Sequence, residues 1–481
     1  MSTEFPSDRL SQDHAIQEIE GQNKCSTTEH IDRLRRRNAS MASTRVFPAD
    51  ILSHIFSYVL HDVEREELNC QCDFVRLGHI CSEWRDIIIS TPLLWSKFRV
   101  DIAKELYEET PISKAVPYFP LLLLYVKNSG NCPFHLDVVF PSYFYFCTTQ
   151  EILQQLQRYV PNVHTLTIQG MFWVPKLLWS SWLSVKDLRI HWRAGGYKRR
   201  DISFAEFTCL RSLTIHHHEF PVHMQLPGEQ ITSLELYNAE VDICMSLLLQ
   251  CPNLVKFRAY NSNEPGSNND YIPKHPEPTQ NVEELLWSFQ SHSACNSLYH
   301  QLRFPSLRNF SWFSPIRNQW DDEEMSALHS MVSNFPPTVS RLHLADAVRW
   351  PDDFTEFLFA NMRNLKKVDV DHCDPSITIH FLSLLNRMSD WGGCCFLPLL
   401  AEVRIAIDYE SDTKKLWENK IASCLVPLFH LRDPHKTGQF SLEIWQYYRK
   451  FSRKLRKASA SLREDGYAFA IWKDEHRRRD D

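Results

Sequence analysis

Histidine and cysteine clusters are the features of this sequence whose residue types and spacing could support metal-dependent or nucleophilic chemistry. Residues 216–223 read HHHEFPVH and approach the zinc-protease pattern H-E-x-x-H, in which two histidines lie one helical turn apart. His223 is one residue too far along the chain for that pattern, and Pro221 would break the helix that it requires. We therefore expect these histidines to be surface and turn residues, with no metal bound.

The 14 cysteines do not form a recognisable metal or disulfide framework. Cys70 and Cys72 precede Cys81, and Cys394 is followed by Cys395, but no paired C-x-x-C spacing occurs. The N-terminus MSTEFPSDRLSQDH lacks the basic and apolar regions of a secretory signal. We expect reduced thiols in a protein of the cytoplasm, the nucleus or both.

Nucleophile and phosphate-binding motifs are absent from the sequence. It contains no G-x-S-x-G elbow, no G-x-G-x-x-G and no G-x-x-x-x-G-K-[ST] loop, and only 12 of its 481 residues are glycine. The sequence therefore predicts a protein that is not an enzyme and needs no cofactor. An enzyme that uses the histidine and cysteine clusters is the rival interpretation, which stoichiometric zinc would support.

The composition limits the class of partner. The chain is 43% hydrophobic and 23% charged, which is typical of a folded protein, and 53 basic against 59 acidic residues give a net charge of −6. No global basic field is available to hold phosphates, so we do not expect nucleic acid as a partner. The longest strongly apolar run, residues 116–126, is shorter than the roughly 20 residues of a spanning helix, so we expect no membrane association.

Apolar patterning divides the chain into five segments. Residues 1–44 are a flexible polar arm, because they hold too few apolar side chains to offset the entropy of ordering. A compact helical unit follows over 45–99, and then a strand, a helix and a strand connect it, over 100–159, to the next segment. Residues 160–410 form a repetitive segment, and 411–481 are a helical segment with a basic tail.

The helical unit begins with FPAD, where Pro48 suits the first helical turn and Asp50 complements the positive end of the helix dipole. Apolar residues then recur at helical spacing up to Val59. After the polar insertion EREELNCQCD, a second helix is expected to carry Leu77, Cys81 and Trp84 on one face. The two apolar faces are broader than short helices can cover by themselves.

The segments FPADILSHIFSYV and LGHICSEWRDIIISTPLLWSKF together resemble an F-box, and the version with STPLLW and an insertion is similar to the large fungal F-box families. The resemblance covers residues 47–98 and departs from the family pattern at Phe47, where leucine is usual, and at Ile80, where valine is usual. The inserted CQCD segment leaves the geometry between the two helices open.

The resemblance implies docking onto a Skp-family adaptor, and through it onto the cullin and RING subunits of a ubiquitin ligase. A unit of this size should not expose many large apolar residues unless a partner or a neighbouring domain covers them. The alternative is that these residues form only the core of a small helical domain. The adaptor-binding residues that the resemblance implies are Pro48, Ile51, Leu52, Ile55, Phe56, Leu77, Cys81, Trp84, Leu94 and Trp95.

From residue 160 the chain repeats the phrase apolar-x-x-apolar-x-apolar, which is the strand portion of a leucine-rich repeat. Successive phrases are 21 to 35 residues apart, mostly near the repeat length of that class. Their middle anchors are Leu166, Leu188, Leu213, Leu234, Phe257, Leu285, Phe310, Leu342, Val368 and Val403. Prolines before several phrases stop intervening helices, so helix, turn and strand alternate.

The fold class is therefore α/β: a small helical F-box, then an irregular leucine-rich-repeat-like solenoid with a parallel sheet, and a helical C-terminal cap.

Between the anchors, alternate strand residues should point to the open concave face of the solenoid. In the first five repeats these residues include arginine, tyrosine and histidine, which anchor many protein interfaces. The predicted target-binding residues are Arg189, His191, His216, Tyr237, Arg258 and Tyr260. An ordinary polar exterior is the alternative interpretation.

Two helices are expected after residue 410, and the second, over 440–464, is basic and amphipathic. It should cap the open end of the solenoid, with a membrane-surface or calmodulin-type role as the alternative.

Together, these features predict a non-catalytic substrate receptor of an SCF-type cullin-RING ubiquitin ligase that marks a target protein for degradation. The alternative is a repeat scaffold that is not coupled to ubiquitylation.

Overall fold

The computed structural model describes residues 47–61, 76–102, 120–140, 146–160, 162–171, 182–192, 202–216, 224–262, 281–289, 303–313, 322–346, 352–387, 397–407, 414–431, 440–446 and 451–473. The predicted polar arm, the insertion that contains Cys70 and Cys72, the Cys394-Cys395 pair and most of HHHEFPVH lie outside these residues. The chain divides into two compact units, residues 1–101 with 117–134, and residues 102–116 with 135–481.

The first unit is mainly helical in its described part. Its elements are α1 (Ala49–His61), α2 (Ser82–Ser90), a 3-10 turn (Pro92–Trp95), β1 (Lys97–Asp101) and α3 (Pro120–Ser129). Helix α1 begins directly after Pro48, whose carbonyl oxygen accepts the first helical hydrogen bond from the Leu52 N–H at 3.1 Å. Thr91 ends α2 in an extended conformation (φ −106°, ψ 91°), as expected of a residue before proline.

The second predicted helix is interrupted, so the expectation of one continuous helix through Leu77, Cys81 and Trp84 is wrong. Residues 76–78 are helical, residues 79–80 form a turn, and α2 begins at Ser82. Cys81 caps α2 from an extended conformation (φ −154°, ψ 167°), and its Sγ accepts a hydrogen bond from the Trp84 N–H at 3.4 Å. A capping residue must leave the helical region to place its side chain there, which breaks the helix.

A cluster of aromatic rings fills the interior of the first unit. Tyr125 of α3 is fully buried, and its ring meets those of Trp95 and Phe98 edge-on, with centroids 5.0 and 4.8 Å apart and interplanar angles of 73° and 65°. Trp95 Nε1 donates a hydrogen bond of 2.7 Å to the Ile88 carbonyl oxygen, which joins the 3-10 turn to α2. The edge-on packing is the favoured geometry for aromatic pairs, and the indole N–H is satisfied.

The second unit is built on a long parallel sheet, as the repeated phrase predicts. Its strands are β2 (Phe134–Val139), β3 (Val163–Met171), β4 (Asp187–Trp192), β6 (Ser212–His216), β8 (Ser233–Tyr237), β9 (Lys256–Ser262), β10 (Glu284–Phe289), β11 (Asn309–Phe313), β12 (Arg341–Ala345), β13 (Lys367–Asp371), β14 (Glu402–Ile407), β15 (Ser441–Gln446) and β16 (Ala468–Lys473). These strands lie side by side in chain order, while β5 (Ile202–Ser203) and β7 (Met224–Gln225) form a separate small parallel pair.

The ten predicted anchors form one continuous row across the sheet. Each pairs with the next in register, from Leu166 with Leu188 to Val368 with Val403. All ten are essentially fully buried. The spacing of the phrase therefore predicted the strands, and the structure pairs their anchors in register, because a slip by one residue would turn the buried side chains to the other face.

The beginnings of β6 and of β8 to β14 are fixed by the same hydrogen-bond arrangement. The N–H groups of Arg211 and Ser212 both donate to the Lys186 carbonyl oxygen, at 2.8 and 2.9 Å. Thr232 and Ser233 donate in the same way to the Arg211 carbonyl oxygen, at 2.8 and 3.0 Å, and the pattern recurs at every strand from β9 to β14. Each repeat is thus tied to its predecessor through main-chain groups, independently of the side chains.

Helices connect many of the strands on the side of the buried anchors. They are α4 (Phe146–Tyr159), α5 (Val241–Gln250), α6 (Asp322–Ser333), α7 (Asp352–Asn361), α8 (Pro375–Leu385), α9 (Lys414–Leu431) and α10 (Arg453–Glu464). Helix α8 shows how the sequence sets the start of a helix: Pro375 occupies its first turn, and the Asp374 side chain accepts a hydrogen bond from the Ser376 N–H at 2.8 Å.

The end of three strands is marked by a residue in the left-handed conformation. Asn238, Asp346 and His372 have φ values of 60°, 53° and 51° and directly follow β8, β12 and β13. Each donates its backbone N–H to a carbonyl oxygen of the next strand, and for Asn238 the acceptor is Tyr260 at 2.8 Å. Asparagine, aspartate and histidine tolerate this conformation better than other side chains, so they can turn the chain away from the sheet.

The sheet continues past residue 410, where helices alone were expected. Helices α9 and α10 are present, but Ser441–Gln446 forms β15 within the predicted helix over 440–464, so that helix is wrong in its first part. Val403 pairs with Leu442, and Leu442 pairs with Phe469 of β16, which extends the anchor row by two positions. A short apolar run cannot be assigned to strand or helix by its periodicity alone.

Among the helices that the structure describes, none is both long and apolar enough to cross a bilayer.

Candidate functional site

The first candidate surface is the apolar stripe of α1. Ile51, Ile55 and Tyr58 lie at intervals of four and three residues, so they share one side of the helix. Ile51 is 43% and Ile55 is 40% exposed, and Tyr58 is more exposed than either. We call these three residues the α1 stripe. Pro48 is also exposed, one turn before it.

Four of the predicted adaptor-binding residues lie in the interior of the first unit instead. Leu52, Phe56, Leu94 and Trp95 are buried. The Phe56 ring contacts the Trp84 ring, with centroids 4.8 Å apart, and this contact joins α1 to α2. Packing of these buried side chains fixes the rotation of α1 about its axis. That rotation leaves the α1 stripe on the exposed side of the helix.

The remaining three predicted residues, Leu77, Cys81 and Trp84, are half-buried. Cys81 has a structural function as the cap of α2, and Trp84 packs against Phe56. Sequence reasoning did not include Tyr58 or Leu93 among the candidates, although Leu93 is among the most exposed large apolar residues described. The helical spacing from Ile55 could have identified Tyr58.

The second candidate surface lies on the face of the sheet opposite the anchors. Arg189, His191, His216, Tyr237, Arg258 and Tyr260 were predicted to share this face. The register places His191, His216, Tyr237 and Tyr260 in one row across four strands. Arg189 and Arg258 lie in the row beside it. The structure thus brings all six together, and we call them the open-face stripe.

The four rings of the open-face stripe stack on one another. The ring centroids of His191 and His216 are 4.0 Å apart, those of His216 and Tyr237 3.6 Å, and those of Tyr237 and Tyr260 4.4 Å, with interplanar angles of 12° to 14°. The faces of the inner rings are therefore covered by their neighbours. A partner of the stripe would contact the edges of the rings, which carry the imidazole nitrogen and phenol oxygen atoms.

The two arginines of the stripe are held by carboxylates on the same face. Arg258 donates to Glu284 of the next strand, through Nε at 2.8 Å, and forms a close ion pair with it. Arg189 forms an ion pair of 3.1 Å with Asp187 of its own strand. The Tyr237 hydroxyl donates a hydrogen bond of 2.8 Å to Glu235. These contacts restrict the side chains, which would lower the entropic cost of binding a partner.

Burial controls the protonation of the stacked rings. It raises the pKa of Tyr237, and the hydrogen bond to Glu235 and its charge raise it further. Burial lowers the pKa of His216 to about 4, with a smaller contribution from His191, and burial also lowers the pKa of His191, aided by Arg189. At neutral pH the rings are therefore uncharged, and their polar atoms are suited to neutral hydrogen bonds beside the charged pairs of the same face.

We expect the stability of the second unit to fall as the pH is lowered from 6.5 to about 4. The pKa of His216 is about 4 in the folded chain and ordinarily 6.5, so the unfolded chain binds more protons in this interval. Thermal unfolding measured at several pH values should show a smaller decrease for His216→Phe, which keeps a stacked ring but cannot take up a proton. The exposed His54 provides the control, and an equal effect of His54→Phe would contradict this assignment.

The open face carries further aromatic residues that sequence reasoning missed. Phe313 meets the His343 ring edge-on at 5.2 Å, and Trp445 stacks on Trp472 at 5.7 Å. Arg404 lies over the Trp445 ring, 4.5 Å from its centroid. His343 lies between the apolar residues Leu342 and Leu344 of the phrase VSRLHL, so the reasoning that was applied to the first five repeats could have found it. Trp445 was missed because its segment was predicted to be helical.

In the part of the chain that the structure describes, no three histidine, cysteine or acidic side chains are grouped closely enough to hold a metal ion together. His216 belongs to the ring stack, and residues 217–223 lie outside the described ranges.

A comparison with protein families supports the resemblance of the helical unit to an F-box. The F-box-like family model matches residues 46–101, so the chain contains an F-box-like domain. No curated protein matches the chain. Among solved structures, the Rad7 and Elc1 complex in yeast is similar, with 13% sequence identity, coverage of 80% of this chain and 93% of that chain, and a TM-score of 0.33.

Proposed function

We propose that this chain is the substrate-recognition subunit of an SCF-type cullin-RING ubiquitin ligase. In this proposal the F-box-like domain binds a Skp-family adaptor, and the open-face stripe binds the protein to be ubiquitylated. The chain performs no chemistry of its own and acts in the cytoplasm, the nucleus or both. It raises the effective concentration of a target lysine near the charged enzyme, so its contribution is proximity.

The observation that carries the proposal is the α1 stripe within the F-box-like domain. Ile51, Ile55 and Tyr58 expose a continuous apolar side of a short helix, although the unit has buried apolar residues of its own. Exposed large apolar groups in one stripe mark an interaction site more often than a free surface. Its occupant is the Skp-family adaptor, because adaptor binding is the function that F-box domains have in common.

The open-face stripe supports the second half of the proposal. Its tyrosines and arginines are residue types that dominate interface energetics. The ring stack and the ion pairs of Arg189 and Arg258 hold it rigid, so it suits recognition of a folded or extended protein surface.

We expect the double substitution Ile51→Asp with Ile55→Asp to weaken adaptor binding by at least about a hundredfold. Each change places a carboxylate, which must lose its hydration, against the apolar surface of the adaptor. Because both positions are exposed, the fold should be retained. Co-purification and calorimetry with the Skp-family adaptor measure the loss, and circular dichroism and the melting temperature verify the fold.

Ile89→Asp provides the matched control for this experiment. Ile89 is the same residue type in α2 of the same unit and is 52% exposed, but it is not among the proposed contacts. It should leave adaptor binding within about threefold of the native value. If the native chain does not bind the adaptor at micromolar concentration, or if Ile89→Asp removes binding as fully as the double substitution, the proposed interface is wrong.

Coupling to ubiquitylation needs a separate measurement, because a scaffold that binds the adaptor alone would pass the first test. In cells, deletion of residues 47–98 should make the target protein accumulate, and substitution of Tyr237 and Tyr260 by alanine should make the same protein accumulate. Binding to the adaptor with no change in the turnover of any protein would favour a scaffold that is not coupled to ubiquitylation.

A further inference from the structure

Helix α10 carries a dense group of exposed positive charges. Arg453, Lys454, Arg456 and Lys457 occupy four of its first five positions, and all four side chains are exposed. Within the part of the chain that the structure describes, none of them forms an ion pair. We call these four residues the basic patch.

The basic patch lowers the stability of the helix that carries it. The first turn of a helix is the positive end of its dipole, where cations are unfavourable, and α10 has no acidic residue there. Arg453 also lies three and four residues before Arg456 and Lys457, a spacing at which like charges repel. Packing does not require these residues, since they are exposed. Their concentration at this position therefore points to binding rather than to folding.

The basic patch is held on a rigid support. The Ser452 hydroxyl accepts a hydrogen bond from the Leu455 N–H at 3.2 Å, and the Ser452 N–H donates to the buried Glu418 of α9 at 2.6 Å. Leu455, Ser459 and Leu462 are buried on the opposite side of α10. The helix is thus fixed to α9 by its cap and by its apolar side.

This anchoring excludes two kinds of partner. Insertion into a bilayer and capture by a calmodulin-type groove both require the apolar side of an amphipathic helix. In α10 that side is already buried, as Leu455 and Leu462 show. Only the charged side is available, so the partner must be recognised by electrostatics.

A further cation lies on the neighbouring helix. Lys420, two residues after Glu418 in α9, is exposed, and its ammonium group lies over the Trp417 ring, 4.7 Å from the centroid. Phe429 of α9 contacts Phe469 of β16, an extension of the anchor row, with centroids 5.9 Å apart. Because α9 packs on the anchor side of the sheet, the basic patch of the adjoining α10 is remote from the open-face stripe.

We propose that the basic patch is a docking site for a short acidic peptide segment of a partner protein, whose negative charge is supplied by aspartate and glutamate side chains. Four cations along about 6 Å of helix match a short acidic segment. The net charge of −6 would oppose a long polyanion such as nucleic acid. The basic patch shares no residue with the α1 stripe or the open-face stripe, so it would add a contact with a partner that neither stripe provides.

Fluorescence anisotropy with the full-length chain tests the proposal. The probes are short labelled peptides of equal length: one rich in aspartate and glutamate, one neutral with serine and glutamine, and the neutral one with its serines phosphorylated. We expect the peptide rich in aspartate and glutamate to bind and the neutral peptide not to bind, and the phosphorylated peptide tests whether phosphate is preferred to carboxylate. Binding should weaken as salt is raised.

A charge-matched pair of variants locates the site. Replacing Arg453, Lys454, Arg456 and Lys457 by glutamine should weaken binding of the anionic peptide by at least about tenfold, since several ion pairs are lost together. Replacing Lys186, Arg211, Arg363 and Lys366 by glutamine changes the net charge equally at other exposed positions and should leave binding unchanged. The first variant should melt no lower than the native chain, because it relieves repulsion.

Four results would overturn the proposal. They are no binding of the acidic peptide, equal binding of the neutral peptide, equal loss in both variants, and tighter binding of the phosphorylated peptide, of a single-stranded oligonucleotide or of phosphatidylserine vesicles than of the acidic peptide.

Discussion

Replacing Phe257 with alanine is expected to destabilise the second unit by about 3–5 kcal/mol. Phe257 is a middle anchor, is fully buried, and its ring meets the Trp287 ring edge-on with centroids 5.5 Å apart. It pairs with Leu234 on one side and Leu285 on the other, so its removal opens a cavity in the interior of the anchor row. Urea unfolding of the full chain, followed by circular dichroism, measures the decrease.

Val255→Ala is the control for the Phe257 substitution. Val255 lies two residues earlier and is 40% exposed, so its truncation should change the free energy of unfolding by no more than about 0.5 kcal/mol. Hydrogen exchange should show the lost protection of Phe257→Ala in β8, β9 and β10 first, because repeats are stabilised by their nearest neighbours. Equal effects of the two substitutions would contradict the continuous anchor row.

Replacing Gly228 with alanine is expected to destabilise the second unit by up to about 3 kcal/mol through overpacking. A Cβ atom at this position would come within 1.8 Å of the Gln250 carbonyl oxygen and 2.9 Å of its carbonyl carbon, at the end of α5. Both obstructing atoms belong to the backbone, which cannot change rotamer to make room. The requirement for glycine here is one of space.

The segment around Gly228 cannot shift easily to relieve this clash. Gln230 Nε2 donates a hydrogen bond of 2.7 Å to the Phe207 carbonyl oxygen, and Asn253 Nδ2 donates one of 2.6 Å to the Glu229 carbonyl oxygen. Gly78→Ala is the control, because the nearest atom to its Cβ would be 3.9 Å away, in ordinary contact. Differential scanning calorimetry of both variants compares them, and a Gly228→Ala chain as stable as Gly78→Ala would show that the backbone does relax.

The sequence by itself determined the repeat architecture and the row of anchors. Leu188, Leu213 and Leu234 recur in one phrase at regular intervals, and since strand side chains alternate, the phrase specifies which side of each strand is buried. The same alternation placed His216 and Tyr237 on the open face. The F-box-like domain was also recognisable, because helical spacing and capping signals are local properties of the chain.

The sequence could not determine features that depend on competition between local signals. The phrase Leu442-x-Ile444 has the alternation of a strand, but it lies next to a strongly amphipathic helix and far from the preceding anchor, so it was assigned to that helix. Pairing with Val403 decided the outcome, since β15 completes a row of main-chain hydrogen bonds that a helix would leave open.

Only the tertiary structure decided which apolar side chains of the F-box-like domain face outward. Ile51 and Leu52 are neighbours of nearly equal size and hydrophobicity, yet Leu52 is buried in the unit and Ile51 is exposed. The contact between Phe56 and Trp84 fixes the rotation of α1 about its axis, and that rotation selects the exposed stripe. The ring stack from His191 to Tyr260 likewise depends on the register of four strands that are distant in sequence. Residue type and spacing determine what a surface can contain, whereas packing between elements determines which residues reach it.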